Sequence, residues 1–406
     1  MRDGPSASVG FFERLGAGMI RVGFVLAGHK WMGGLNYFRN LFSALSLLND
    51  RKMQAIMFIG SRVPDDITQC FRNVEIIRST LLDVDVPAGI IRRGVNRIVG
   101  GQDPLLRLLL MRHDIHVLSH FNAEWKGGKI KKIGWIPDFQ HLYFPEFFSR
   151  TEIAYRDTLY RNLARTCDCI LISSNAAQRD LAKFAPAAAS RSAVLPFVPD
   201  IEECLSPSKI QSLENKYGFK GPYFYIPNQF WVHKNHDVVI DALIHLKKKG
   251  ILPTILLSGD IQDYRQPQHF SRLMAKVQAS GVTGSFKVLG VIPYNDLLSL
   301  MHHTIALINP SLFEGWSSTV EEGKALGKTI LLSNLSVHIE QNPTKGIYFD
   351  PKDSLELAEK MELILSGAET AQSCRLEKLR LTDSYHIERI NFALKYQQIV
   401  QRVAES

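Results

Sequence analysis

The sequence predicts an α/β protein built on two doubly wound parallel sheets, and three observations carry that reading. The first is length: 406 residues exceed what one small core holds, so two domains are the default. The second is a repeated alternation of short apolar runs with stretches whose apolar residues keep helical spacing, as expected of strands covered by helices on both faces. The third is one unit legible in full. The apolar run Thr304 to Ile308 leads into a tight loop from Asn309, Ser318-x-x-Glu321 reads as a capping box, Gly327 stops the short helix, and Thr329 to Leu332 is the next strand.

Taken in order, Met19 to Ala27 reads as a buried strand, followed by a glycine loop, Gly28 to Gly34. Leu35, Phe38, Leu41, Phe42, Leu45 and Leu48 then mark a helix. The glycine spacing is not Gly-x-Gly-x-x-Gly, so no dinucleotide fingerprint is supported. Gln54 to Gly60, Val74 to Arg78 and Ile115 to Leu118 are further strands. Asp83-Val84-Asp85 mimics an Asp-x-Asp metal motif, but its Pro-Gly-containing loop reads as a solvated turn. Ala88 to Arg112 sets Arg92, Arg93, Arg97, Arg107 and Arg112 among Ile90, Ile91, Val95, Ile98, Leu105, Leu106 and Leu109, the profile of basic amphipathic helices on a membrane surface or of packed helices with an Arg face. Ile170 begins a strand and an N-capped helix, and the run from Ala193 completes the first sheet. The pattern weakens from Asp200 to Gly221, the expected crossing between domains. Tyr223 to Ile226, Ile255 to Ser258, Phe286 to Leu289 and Gly346 to Asp350 supply strands of the second sheet, with helices at Asp237 to Lys249 and Leu355 to Leu365 and a last helix near Ser384 to Val403.

Composition narrows the classes. No apolar stretch approaches membrane-spanning length, and Met1 to Gly18 lacks the apolar core of a signal peptide. Five scattered cysteines make no disulfide framework and point to a reducing cytoplasm. The Cys167-Asp168-Cys169 spacing suits two same-facing strand positions. A net charge of +8 favours an acidic partner, such as nucleotide phosphates, a phospholipid-linked acceptor or a membrane surface. Nucleic acid is not expected, because there is no long basic run, RNA-binding aromatic pattern or zinc-finger spacing.

The chemistry gathers at the loop from Asn309. A helix entrance carries unpaired N–H groups and attracts an anion. Glu314 lies before that entrance and Glu322 near the end of the first helical turn. Ionised carboxylates only accept hydrogen bonds, so acids on either side of a bound anion suit hydroxyl recognition. A nucleotide sugar has that form, with phosphates between two hydroxyl-bearing sugars.

Glu314, seven residues, then Glu322, after Pro310-Ser311 and before Ala325-Leu326-Gly327-Lys328, resembles the signature of retaining GT-B glycosyltransferases, family four of the sequence classification. The resemblance implies two Rossmann-like domains facing each other across a cleft, with bounds near 1–205 and 206–383 and a helix over 384–406 crossing back to the first domain. It places the transferred sugar on Glu314, the ribose on Glu322 and the pyrophosphate on Gly315, Trp316, Ser317 and Ser318. Lys234 matches a diphosphate-binding lysine, whereas Gln229 stands where the family has an arginine, with His233 as a replacement cation if protonated. Residues near Ile292 would meet the base, and Gly33 and Gly34 would line the cleft. In Trp135-Ile136-Pro137-Asp138-Phe139-Gln140-His141, Asp138 matches a catalytic-site position, Pro137 replaces the usual histidine, and His141 could supply an imidazole.

The implied activity is metal-independent transfer of a sugar from a nucleotide-diphosphate donor, with retention, to a glycan or lipid-linked acceptor, as in polysaccharide assembly at the inner face of a membrane. No separate cofactor is implied. Arg92, Arg93 and Arg97 would face anionic lipid. A catalytically silent GT-B subunit and a nucleotide-sugar 2-epimerase are the alternative readings.

Overall fold

The computed structural model describes residues 18–26, 32–69, 71, 73–121, 128–202, 207–367 and 375–406, excepting the side chains of 32, 33 and 375–383. Thirteen strands form two sheets among these residues. The first holds β1 (Ile20–Val25), β2 (Met53–Ile59), β3 (Glu75–Arg78), β4 (Val117–Ser119), β5 (Lys131–Ile136), β6 (Cys169–Ile172) and β7 (Ser192–Val194) in the order β3-β2-β1-β4-β5-β6-β7. The second holds β8 (Tyr223–Ile226), β9 (Thr254–Leu257), β10 (Phe286–Val288), β11 (Ala306–Asn309), β12 (Ile330–Ser333) and β13 (Gly346–Phe349) in the order β10-β9-β8-β11-β12-β13. Every pairing is parallel. Helices cover both faces, so β6, β8, β11 and β12 are buried at every residue and read as continuous apolar runs rather than alternating ones.

The winding reverses at β1, which lies between β2 and β4, and at β8, which lies between β9 and β11. In such sheets the crevice for a ligand opens beyond the carboxyl ends of the strands at the reversal. The loops after β8 and β11 therefore occupy the position where the sequence gathers its chemistry.

The helix Arg375–Glu405 closes the first sheet's core: Phe392, Tyr396, Ile399 and Val400 pack with Val22, Phe24 and Met57. It is also fastened by charge. Arg389, 1 % exposed, sits on Glu202, Asp200 and the Ser43 hydroxyl, and the Tyr385 hydroxyl donates to the Pro199 carbonyl at 2.7 Å. No described helix is long and apolar enough to cross a membrane.

Three local expectations need correction. Cys167 and Cys169 do not face the same way: Cys167 ends the Arg150–Thr166 helix and packs in the cluster of Phe139 and Tyr160, whereas Cys169 lies in the cluster of Phe24 and Met57. Asp83 is not solvated but buried, accepting from the Ser61 hydroxyl and the amides of Ser61 and Arg62. Arg92 does not face outward; its guanidinium grips the buried Asp103 carboxylate at 2.6–3.1 Å and helps join the helices Pro87–Ile98 and Pro104–Arg112. Arg93 and Arg97 do remain exposed there, beside the exposed Ile90, Ile91 and Ile98.

Candidate active site

The loop after β11 is built from its buried end outward. Asn309 donates to the Ser317 hydroxyl at 2.6 Å and accepts from Ser311 at 2.9 Å, which pins both ends of the loop to the strand. Asn235, held at φ 56 before the His236–Lys248 helix, donates to the carbonyls of Pro310 and Pro351. The left-handed region tolerates Asn better than most residues, so this side chain serves as a staple between three loops.

Glu314 and Lys234 meet in the space so defined, with Nζ donating to Oε1 at 2.6 Å and the Ser311 hydroxyl donating to the same oxygen at 2.6 Å. The two side chains are 9 % and 18 % exposed. Burial pushes the Glu314 pKa up, but the Lys234 ammonium beside it outweighs this and holds the carboxyl below its ordinary value. Glu314 is thus ionised, and Lys234 keeps further N–H donors to offer. His233 is not a replacement cation. Burial, and then Lys234 beside it, lower its pKa to about 3, so it is neutral.

The helix that follows spans Ser318–Ala325, and no side chain caps it. The expected capping box is absent for a physical reason. Ser317, not Ser318, is the N-cap residue; its hydroxyl is turned inward to Asn309. Glu321 accepts from Gln341 at 2.8 Å and from Lys324 instead of reaching back. The first-turn amides are therefore left uncapped, and the Ser318 side chain is exposed at the helix start. Glu322 is buried on the next part of the helix and accepts from the Tyr294 hydroxyl at 2.8 Å. Burial raises its pKa to about 7, against the opposing pull of Tyr294 and Arg39.

The loop touches the first half of the chain. An added Cβ on Gly315 would lie 2.4 Å from the Pro137 carbonyl oxygen and 3.0 Å from the Asp138 Cβ. Trp316 donates its indole N–H to the Phe197 carbonyl at 3.1 Å, and Phe313 packs on Tyr143 with ring centres 5.4 Å apart. Asp138 is thus brought to the site, with its carboxylate accepting from the Gln140 amide at 2.9 Å. His141 is not. Its ring is buried among Phe139, Tyr160 and Phe184, with Nε2 3.1 Å from Asp157, and burial lowers its pKa.

Gly33 and Gly34 lie within the first turn of the helix Met32–Ser46 rather than in a loop, and the rest of the expected glycine loop, 28–31, falls outside the described residues. Gln229 is exposed, and Ile292 is half-buried beneath the second sheet. Three participants were not found in the sequence: Arg39, whose guanidinium lies 4.6 Å over the Tyr294 ring; Arg265, stacked on Trp231 and reaching Gln140 in the first half; and Glu340, which accepts from the Asn175 and Ala176 amides. All three act across the interface, and no local pattern marks such residues.

Residues 210–378 match the family described as glycosyl transferases group 1. No curated protein sequence matches the chain. Among solved structures, a glycosyltransferase from Rickettsia africae superposes with TM-score 0.67 at 15% identity, over 96% of this chain and 99% of that one. HepE from Anabaena, in complex with UDP and glucose, gives 0.61 at 18% identity over 95% and 98%. Sucrose-phosphate synthase from Thermosynechococcus elongatus gives 0.63 at 14% identity over 95% and 98%. Likeness at such identities establishes the architecture, two Rossmann-like domains in the GT-B arrangement.

Proposed function

We propose, from the match of residues 210–378 to glycosyl transferases group 1 and from the GT-B fold, that the chain moves a sugar from a nucleoside-diphosphate donor to a glycan or lipid-linked acceptor, with retention and without a metal ion. The second half, about 206–383, is the donor domain in this reading, and the first, about 1–205, faces the acceptor. The observation that carries it is the ionised Glu314 on Lys234, set beside an uncapped helix start at the sheet reversal. HepE, a structural neighbour, binds UDP, which supports a donor of that class.

As the donor bond breaks, positive charge grows on the sugar and negative charge on the diphosphate. The amides of Ser318 and its neighbours and the free N–H groups of Lys234 face the departing anion as fixed dipoles and charge. Glu314 accepts from the sugar hydroxyls, Glu322 from the ribose, and residues near Ile292 meet the base. Asp138 borders the acceptor side. No covalent nucleophile is assigned; the acceptor attacks from the face the diphosphate leaves. Incubation with UDP-, GDP-, ADP- and TDP-sugars tests this. Nucleoside diphosphate release that depends on acceptor and is lost in Glu314→Gln is expected; a thermal-shift screen in which no nucleoside diphosphate binds would overturn it.

One observation favours the silent-subunit reading. Gln229 and neutral His233 leave Lys234 as the single cation of its loop. Release of diphosphate in the same assay removes that reading.

A membrane-facing role is part of the proposal. Arg93 and Arg97, with Ile90, Ile91 and Ile98 exposed on the same helix, suit an anionic lipid surface. Co-sedimentation with phosphatidylglycerol vesicles should fall in the Arg93→Glu/Arg97→Glu variant. Unchanged binding would exclude this face.

A further inference from the structure

Arg39 belongs to the helix Met32–Ser46 of the first half, yet its guanidinium lies 4.6 Å over the ring of Tyr294 in the second. The Tyr294 hydroxyl in turn donates to Glu322 at 2.8 Å. The Arg39 Nε is buried and has no hydrogen-bond partner among the described residues. An arginine normally reaches a carboxylate or a carbonyl when it is withdrawn from water. Here the stacked ring and the acid behind it are what it faces.

We propose that Arg39 is a positioning residue for the nucleotide: it completes the ribose-binding carboxylate of the opposite domain, supplying through Tyr294 the positive charge that readies Glu322 to accept hydroxyl hydrogen bonds. The inference rests on the assignment of Glu322 to the ribose. It adds a condition to that assignment, because the charge comes from the other half of the molecule. Nucleotide is then held tightly only while the two halves are together, and by linkage bound nucleotide favours the closed arrangement.

The surroundings of Glu322 leave few other sources of charge. From the helix Tyr294–His303 the Tyr294 hydroxyl reaches it, and Tyr225 of β8, the strand behind it, stays a neutral phenol because burial raises its pKa. On its own helix, Lys324 is engaged with Glu321. Arg39 opposes the burial that otherwise favours the neutral acid.

The test uses calorimetric titration of UDP, GDP and ADP into the native chain, Arg39→Gln, Arg39→Lys and Tyr294→Phe, from about pH 6 to 9. For the nucleotide that the native chain binds, Arg39→Gln should weaken binding by about tenfold near neutral pH and recover as pH rises, the effect of about one pKa unit on the accepting carboxylate. Arg39→Lys, which keeps charge but not the flat stacking surface, should fall between. The donor KM should rise while kcat at saturating donor holds. Equal loss at every pH would mean a merely structural role and overturn the proposal. Carboxyl carbon NMR of the ligand-free proteins reads the Glu322 midpoint directly; a midpoint unmoved in folded Arg39→Gln overturns it even if no nucleotide binds. Absence of binding to the native chain alone would count against the ribose assignment.

Discussion

Glu314 and Lys234 show how much a single buried pair constrains. Lys234→Ala leaves an ionised carboxylate in a site only 9 % exposed, and breaking such a pair typically costs about 3–5 kcal/mol. A clearly lower Tm is expected for Lys234→Ala, with most of it restored in Lys234→Ala/Glu314→Gln, where the orphaned charge is gone. Turnover should stay at least about a hundredfold down in both, the usual scale for losing one preorganised electrostatic contact. Thermal melts alongside single-substrate kinetics check this. The folded pKa of Glu314 is depressed, so its contribution to stability is present above the ordinary carboxyl range and is lost as pH falls through the folded value.

Glu322 behaves oppositely. Its folded pKa is raised from 4.5 to about 7, so the folded state keeps a proton the unfolded chain releases, and stability declines as pH rises across that interval. Hydroxyl donors need the ionised acid. UDP affinity should therefore increase by about tenfold between about pH 6 and 8 and level off above, a slope calorimetry would read.

At the scale of elements, the loop after β11 is defined by what it cannot accommodate. A methyl group on Gly315 would stand 2.4 Å from the Pro137 backbone oxygen, and a backbone atom yields less easily than a side-chain tip. Gly315→Ala should keep each sheet intact but push the loop off its neighbour, reducing kcat/KM by about tenfold or more, since misplacement by about 1 Å is that expensive at an active site. Near-native circular dichroism with impaired turnover is the expected combination.

The helix Asn175–Phe184 gives a second case. Its N-terminal amides are capped by Ser174 from its own chain segment and by Glu340 from the other half, at 2.7 Å and 3.2 Å. Glu340→Ala removes a cap worth about 1 kcal/mol, and hydrogen exchange at Asn175 and Ala176 should accelerate.

The same two elements show where sequence reading succeeds. A capped helix start follows from the Ser173-Ser174-Asn175 run before an apolar helical pattern, with Ser174 singled out only by the structure, and the β11 unit from an apolar run, a loop and a glycine stop. Ser318-x-x-Glu321 misleads because Gln341 and Lys324, brought in from outside the pattern, compete for Glu321. Arg92 misleads similarly: Asp103 caps the start of the next helix, and spacing within one helix cannot show it.

For the whole molecule, the legible part was the fold, because continuous apolar runs and a weak-pattern crossing near 200–221 are properties of local sequence. The relation between the halves was not legible. Trp316 on Phe197, Arg265 on Gln140, Arg39 on Tyr294 and Glu340 on Asn175 each join residues far apart in the chain. Arg389 is the deepest of these links, and Arg389→Ala would strand Asp200 and Glu202 around an empty space. A loss of about 3–5 kcal/mol in urea unfolding is expected, larger than for any exposed ion pair.

The helix Arg375–Glu405 carries a consequence for biosynthesis. Phe392, Tyr396 and Val400 belong to the same cluster as Val22 and Phe24, yet the ribosome makes them only after the entire second sheet. Domains ordinarily mature from the N-terminus as they emerge. Here the earlier-made half must wait with an uncovered apolar flank until the second sheet has been made, which makes it a natural client for chaperones during that interval.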